Sequence, residues 1–301
     1  PYQDWTIFEK KRFYKPMGGQ IKLSGPFEFV RGCPRWCTFC CNYGINEFYK
    51  GAYLRKKNIR RVLEEIEYAK AQYRLEYVYI YAENFLSTIK DDSFREFIRE
   101  YKKIRLPFWI ETDPESLTAW RMQQLKEVGC EGISVGVEHG NPEFRRKMLN
   151  RHITNEKLID VFHTASESGI RISANNIIGF PSETRELIFD TIRLNRQLKT
   201  QNVIVNLYNP YRGTKLRDLA VARGLLDEKI HAGDYRTEVV LNQPQLTRAE
   251  LLGLHRTFVL YTAMPESEWE RIQQAEKFDA KGNRIFRELG EEYWQTYKKI
   301  N

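Results

Sequence analysis

No run of apolar residues in this 301-residue sequence approaches the roughly 18 that a helix needs to cross a bilayer. The stretch from Pro1 to Gln20 holds no apolar core of the kind a secretion signal requires. A soluble, cytoplasmic protein with no membrane partner is therefore expected. Internal repeats and low-complexity tracts are also absent, so disorder is not the default. Cysteine is scarce, with five in all, and four of these (Cys33, Cys37, Cys40 and Cys41) crowd into one short segment while Cys130 stands apart. Neighbours this close make poor disulfide partners, which points to a reducing compartment.

What is present suffices for a large core: 42% of residues are hydrophobic and 13% aromatic. The formal charge is +8, with basic residues gathered in Lys10–Lys15 and Arg55–Arg61. Such patches suit phosphates, and they equally suit steering of a small acidic electron-transfer protein. Runs rich in Val, Ile, Tyr or Phe predict strands at Phe27–Arg31, Tyr77–Ala82, Phe108–Thr112, Gly132–Glu138, Ile170–Ile178 and Val203–Tyr208. Helical periodicity falls between them, at Asn58–Tyr73, Asp92–Lys103, Pro114–Val128, Asn155–Ser168 and Thr184–Leu198. Six strands joined by crossover helices predict a parallel α/β sheet curled into a partial (β/α)6 TIM-type barrel, with ligands at the C-terminal strand ends. Past Gly213 only helices are expected, at Thr247–Tyr261 (with Thr247 and Glu250 as a capping box), Pro265–Phe278 and Ile285–Lys299. They form a C-terminal helical extension.

Cys33, Cys37 and Cys40 have C-x3-C-x2-C spacing directly after the first predicted strand. Three thiolates can ligate three irons of a [4Fe–4S] cube and leave the fourth open. Structural zinc wants four ligands, and no further Cys or His pair follows at finger-like spacing. Cys130 reads as a small buried hydrophobe, and Cys41 as a packing residue beside the loop.

This motif, with Phe39 just before its last cysteine, resembles that of the radical S-adenosylmethionine (SAM) superfamily, and the likeness extends from about Phe27 to Leu216. It implies a [4Fe–4S] cluster on Cys33, Cys37 and Cys40, and SAM as the second cofactor, cleaved to a 5′-deoxyadenosyl radical that takes hydrogen from a substrate. By the same resemblance Ala82, Glu83 and Asn84 meet the SAM amino group. Glu111 and Glu138 hold its amino acid or ribose, and Arg151, after Asn150, pairs with its carboxylate. Asn175 and Ile177 flank ribose and adenine, and Asn206 and Tyr208 lie at the sixth-strand adenine contact. Residues 1–26 resemble the connector that precedes the barrel in cobalamin-binding members, which divides the chain into a connector (1–26), the barrel (27–223) and the helical extension (224–301). No D-x-H-x-x-G motif occurs. Two readings follow: a cobalamin domain lies outside this sequence and serves methyl transfer, or the barrel acts without cobalamin. The expected partners are a small-molecule or peptide substrate and a flavodoxin- or ferredoxin-type electron donor. An RNA-modifying enzyme is the weaker alternative, and a non-catalytic Fe–S electron carrier weaker still.

Overall fold

The computed structural model describes residues 2–17 and 19–297. Positions 298 and 299 of the last predicted helix, with Pro1 and Gly18 of the connector, lie outside the described residues. In chain order the elements are β1 (Tyr14–Met17), β2 (Gln20–Glu28), β3 (Val30–Arg31), α1 (Cys41–Phe48), β4 (Arg55–Lys56), α2 (Ile59–Tyr73), β5 (Tyr77–Tyr81), α3 (Phe85–Thr88), α4 (Asp91–Ile104), β6 (Phe108–Thr112) and α5 (Ala119–Glu127). There follow β7 (Cys130–Glu138), α6 (Pro142–Leu149), α7 (Asn155–Glu167), β8 (Arg171–Ile178), α8 (Arg185–Gln197), β9 (Asn202–Leu207), α9 (Lys215–Ala222), α10 (Arg248–Ala263), α11 (Trp269–Ala275) and α12 (Ala280–Glu292). Seven strands bond in the order β1-β2-β5-β6-β7-β8-β9, and β3 with β4 forms a separate ribbon. Pairs β2–β5, β5–β6 and β6–β7 are parallel, while β1 and β2 make an antiparallel hairpin.

Two compact units divide the chain: Pro1–Arg35 with Ile45–Gly136 and Asp160–Ser173, and Trp36–Gly44 with Val137–Ile159 and Ala174–Asn301. In the first, strand alternation sets the layers. Val78, Ile80, Phe108, Ile110, Ile133 and Val135 are completely buried, and Phe108 packs on Phe97 and Tyr101 of α4 at 6.0 and 4.5 Å between ring centroids. The period of two places Tyr79, Tyr81, Trp109, Glu111 and Ser134 on the opposite pleat face. Helix α2 starts where the Asn58 side chain accepts from the Arg61 amide and ends at Arg74 in the left-handed region. It buries Val62, Leu63, Ile66 and Ala69 along one stripe. Trp5 stacks between Phe13 and Tyr73 at 4.6 and 5.0 Å. Its ring lies so close over Gly25 that a Cβ there would sit 2.1 Å from it.

In the second unit, Ile178, Ile188, Ile192, Leu254, Phe258, Ile272 and Leu289 form an apolar core joining β8 and α8 to the C-terminal helices. Helix α10 opens with the expected capping box of Thr247 and Glu250. No strand follows β9 among the described residues.

Four predicted elements differ from those observed. Phe27–Arg31 is the end of the longer β2 plus the short β3, which pairs with β4. Pro114–Val128 is a 3-10 turn at Pro114–Ser116 and then α5, because the Thr118 side chain caps the Arg121 amide and starts a new helix. Pro265–Phe278 likewise splits into a 3-10 turn and α11. The last helix begins earlier, at Ala280, since Asp279 caps the Gly282 amide at 2.7 Å.

Candidate functional site

Within the first unit, the segment Gly32–Arg35 is held at both ends of Cys33. The Gly32 amide donates to Glu83 Oε2 at 3.1 Å, which fixes an exposed carboxylate just beyond β5. Asn46 Nδ2 donates to the carbonyls of Cys33 and Arg35 at 3.0 and 3.4 Å. Arg35 Nε donates to Asp113 Oδ2 at 2.8 Å. Asn84, buried beside the buried Ala82, donates to the same Asp113 oxygen at 2.7 Å and to Cys33 Sγ at 3.9 Å. Burial alone raises the Asp113 carboxyl, but the hydrogen bonds from Asn84 and Arg35 outweigh it and hold the group below the usual range. Glu111, half-buried at the end of β6, accepts from the Tyr79 hydroxyl. Burial, then the Glu111 charge, push that phenol well up.

The ribbon of β3 and β4 sets Arg55 opposite Arg31 and Lys56 opposite Val30, immediately before Gly32. Arg55 and Lys56 are exposed, whereas Lys57 pairs with Glu65 at 3.3 Å.

In the second unit, the loop carrying Cys37 and Cys40 is pinned along its backbone. Thr38 donates through Oγ1 to the Met148 carbonyl at 2.5 Å and through its amide to Leu149 at 3.3 Å. Its own carbonyl receives the Leu216 amide at 3.0 Å, and Asn150 Nδ2 donates to the Trp36 carbonyl at 2.8 Å. Phe39 meets Phe180 edge to face at 5.8 Å, in an apolar group that also contains Ile177 and Tyr208. The same apolar group thus holds Ile177 and Tyr208, two of the residues expected around adenine, together with Phe39. Asn175 and Ile177 share one face of β8, and Asn176, on the other, pairs reciprocally with Asn195 at 3.1 and 2.8 Å. Asn206 is half-buried near the end of β9.

Glu138 and Arg151 approach to 3.7 Å, both side chains 13% exposed. Burial raises the Glu138 carboxyl, and Arg151 opposes that shift. Glu138 adopts a φ of 66°, a conformation that a long side chain takes only against about 1 kcal/mol or more of strain. Strain of this kind concentrates at functional sites.

The supports of Glu138 escape sequence reading. Next to it, His139 is completely buried and its Nε2 lies 3.0 Å from Glu183 Oε1. His139 Nδ1 accepts the Asn141 amide at 3.0 Å, which assigns the ring proton to Nε2. Nε2 and Glu183 Oε1 face each other without hydrogen-bond alignment, and both are buried atoms with no hydrogen-bond partner. The other Glu183 oxygen accepts the Gly179 and Phe180 amides, tying the turn after β8 to the residue after β7. Buried Arg145 donates to the carbonyls of His139 and Ile153 at 2.5 and 3.0 Å and to Asn155 Oδ1 at 2.6 Å. Burial, then the nearby charge of Arg151, depress its pKa to about 10. Only the Gly-Val-Glu-His-Gly and Gly-Phe-Pro-Ser-Glu strings flanking these residues signal the site in the sequence.

Among the described residues none of the five cysteines is disulfide-bonded. Cys130 is buried, as expected, and its burial pushes the thiol up to about 12. Cys41 is not packed: it starts α1 with an exposed side chain, since the helix turns its first residue outward. It hydrogen-bonds the Cys40 thiol, which, together with burial, raises the Cys40 pKa.

Three thiols are the donor type an iron–sulfur cluster takes, although among the described residues no three His, Cys, Asp or Glu side chains are gathered to hold a metal ion. Burial holds Cys33 protonated in the absence of a cation, and coordination removes such a proton outright. N–H groups aim at two of the three sulfurs. Asn84 Nδ2 and the Arg35 amide reach Cys33, while Asn42 Nδ2 lies 3.8 Å from Cys40 Sγ. Such donors complement a thiolate ligand.

These features define a cysteine-loop α/β fold of the partial TIM-type barrel class. The family model described as the Radical SAM superfamily matches residues 27–194, more than half of the chain. The chain belongs to the radical SAM superfamily. It is 28% identical over 207 residues to an uncharacterized methyltransferase of Pyrococcus horikoshii, covering 67% of this chain and 43% of the relative. Against the anaerobic magnesium-protoporphyrin IX monomethyl ester cyclase of Rubrivivax gelatinosus it is 24% identical, covering 99% of this chain and 55% of the relative. Its fold matches that of the radical SAM methyltransferase TsrM from Kitasatospora setae, solved with a tryptophan substrate and a SAM analogue. That match has a TM-score of 0.62 and 15% identity, covering 92% of this chain and 61% of that one. The chain therefore spans about half the length of the curated relatives it matches.

No helix among the described residues is long and apolar enough to cross a membrane.

Proposed function

We propose that Cys33, Cys37 and Cys40 hold a [4Fe–4S] cluster at which SAM is reductively cleaved for radical chemistry on a small-molecule substrate. The observation that carries this reading is the C-x3-C-x2-C loop with N–H donors directed at the sulfurs of Cys33 and Cys40. When bound, the cluster supplies the electron that converts SAM to methionine and a 5′-deoxyadenosyl radical.

The chain's own residues bind and orient. SAM is an amino acid with one positive and one negative backbone group, and Glu138 and Arg151 present one complementary charge each. Arg151 takes the carboxylate and Glu138 the amino group or ribose. Phe39, Ile177 and Tyr208 offer an apolar surface to adenine, with Asn175 and Asn206 as polar neighbours. Glu83 and Glu111 close the first unit's strand ends. Tyr79, Tyr81 and Trp109, on the pleat face away from the helices, form an aromatic wall for substrate. Arg55 and Lys56, paired beside the entry to the cysteine loop, steer an acidic electron donor of the flavodoxin or ferredoxin type.

The finer reading is methyl transfer, supported by the methyltransferase relative. No residue of this chain is assigned to cobalamin, and no step here runs through it.

Anaerobic reconstitution with iron and sulfide, followed by SAM and dithionite, tests the proposal. Release of 5′-deoxyadenosine and methionine by a reconstituted sample, but not by one lacking iron, is the expected result. A fully reconstituted protein that leaves SAM intact contradicts it. Adding methylcobalamin and scoring methylated product separates the finer reading from cobalamin-free chemistry.

A further inference from the structure

Asn84 was expected to touch SAM, yet its hydrogen-bonding capacity is already spent within the protein. A side-chain amide offers two donors and one oxygen with two lone pairs. The oxygen accepts the Thr112 hydroxyl at 2.9 Å and the Asp113 amide at 3.0 Å. The nitrogen donates to Asp113 Oδ2 at 2.7 Å and points its second hydrogen toward Cys33 Sγ at 3.9 Å. All four positions are filled, and the side chain is only 3% exposed.

Asp113 is shared. The carboxylate oxygen that accepts from Asn84 also accepts from Arg35 Nε at 2.8 Å, and its other oxygen accepts the Ser116 amide at 2.8 Å. Arg35 extends the chain of contacts to Glu115 at 2.5 Å. The network thus grips the cysteine loop twice: at the sulfur of Cys33 through Asn84, and two residues later through Arg35. All of these residues belong to the first unit.

We infer that Asn84, Asp113 and Arg35 form a positioning network that presets the Cys33 end of the loop, and that Asn84 is not a SAM contact. The inference rests on Cys33 being a cluster ligand only for its effect on the cluster; the presetting itself belongs to the apoprotein. A loop ordered in advance loses less conformational entropy on metallation. The N–H directed at sulfur also withdraws charge from a thiolate, which favours the reduced cluster.

Hydrogen exchange of the apoprotein, free of iron and SAM, is the direct test, with Asn84→Ala and Arg35→Ala as variants. Arg35 is 41% exposed, so its truncation leaves the fold intact and keeps the test decisive if Asn84→Ala does not fold. Amides of residues 32, 33, 35 and 36 should exchange roughly tenfold faster or more in each variant, as expected for loss of a charge-assisted hydrogen bond. The double variant should add little to either single change. After reconstitution, the cluster of Asn84→Ala should have a lower midpoint potential than the parent, with SAM affinity unchanged within about twofold. Parent-like exchange in both variants would overturn the inference, as would a tenfold loss of SAM affinity in Asn84→Ala with exchange unchanged. Failure to form any cluster in the parent would count against the proposed function while leaving the exchange result standing.

Discussion

Replacing Glu183 by glutamine, usually a mild change, should be costly here. One carboxylate oxygen accepts the Gly179 and Phe180 amides, and the other faces His139 Nε2 3.0 Å away in a buried electrostatic contact without hydrogen-bond alignment. A glutamine has one accepting oxygen and one NH2 group. Whichever way it turns, the NH2 faces an N–H. Turning the imidazole does not relieve the conflict, because Nδ1 already accepts the Asn141 amide at 3.0 Å. Both side chains are completely buried, so water does not rescue the unmatched group. Setting two buried N–H groups against each other costs about 2 kcal/mol. Removal of the whole carboxyl in Glu183→Ala, which orphans the backbone amides and removes the charge facing His139, costs roughly 3–5 kcal/mol. At roughly 2–4 °C per kcal/mol for folding units of this size, Glu183→Gln should lower Tm by about 4–8 °C, and Glu183→Ala by more. Thermal denaturation of the apoprotein by circular dichroism reads this directly. A Glu183→Gln variant melting within about 1 °C of the parent would refute the account of the His139–Glu183 pair.

Three further outcomes are expected. Burial raises the Glu138 pKa above its unfolded value of 4.5, so its protonated form favours folding at low pH and the contribution is lost as pH rises through the folded pKa. Glu138→Gln should therefore be more stable than the parent at pH 7, with the advantage shrinking toward pH 4.5, and should bind SAM more weakly; equal pH dependence in urea titrations would contradict this. Gly25→Ala should destabilise by about 1–3 kcal/mol through overpacking, because its Cβ would lie 2.1 Å from the Trp5 ring, and a Trp5→Leu background should recover part of the loss. Charge reversal at Arg55, Lys56 and Lys57 should slow flavodoxin-driven SAM cleavage and reduce its salt sensitivity while leaving the dithionite-driven rate near the parent value; an equal loss with both reductants would refute donor steering.

Elements with an unbroken period were legible in the sequence. Strands β5 and β6 run Tyr-Val-Tyr-Ile-Tyr and Phe-Trp-Ile-Glu-Thr, and helices α2 and α4 carry clean apolar stripes. The start of β2 was not legible, since Gly25 and Pro26 interrupt a strand pattern. Only the tertiary placement of Trp5 over Gly25 explains a glycine there. Helices α1, α6 and α9, each of eight residues, sit among motif residues and have too few turns to declare a period. At the site, the cysteine spacing and the strand-end strings pointed to Glu138 and Arg151, which approach to 3.7 Å, and to Phe39, Ile177 and Tyr208, which share one apolar group. The roles of His139, Glu183, Arg145, Asn46 and Asp113 were hidden, because each depends on a partner that only the fold supplies.

Iron and sulfide content after anaerobic reconstitution of the parent and of the five single Cys→Ala variants tests the central claim most directly. Cys33→Ala, Cys37→Ala and Cys40→Ala should each lose the [4Fe–4S] cluster, whereas Cys41→Ala and Cys130→Ala should retain it. A full cluster in Cys37→Ala, or its loss in Cys130→Ala with the fold intact, would contradict the assignment of the three loop cysteines as its ligands.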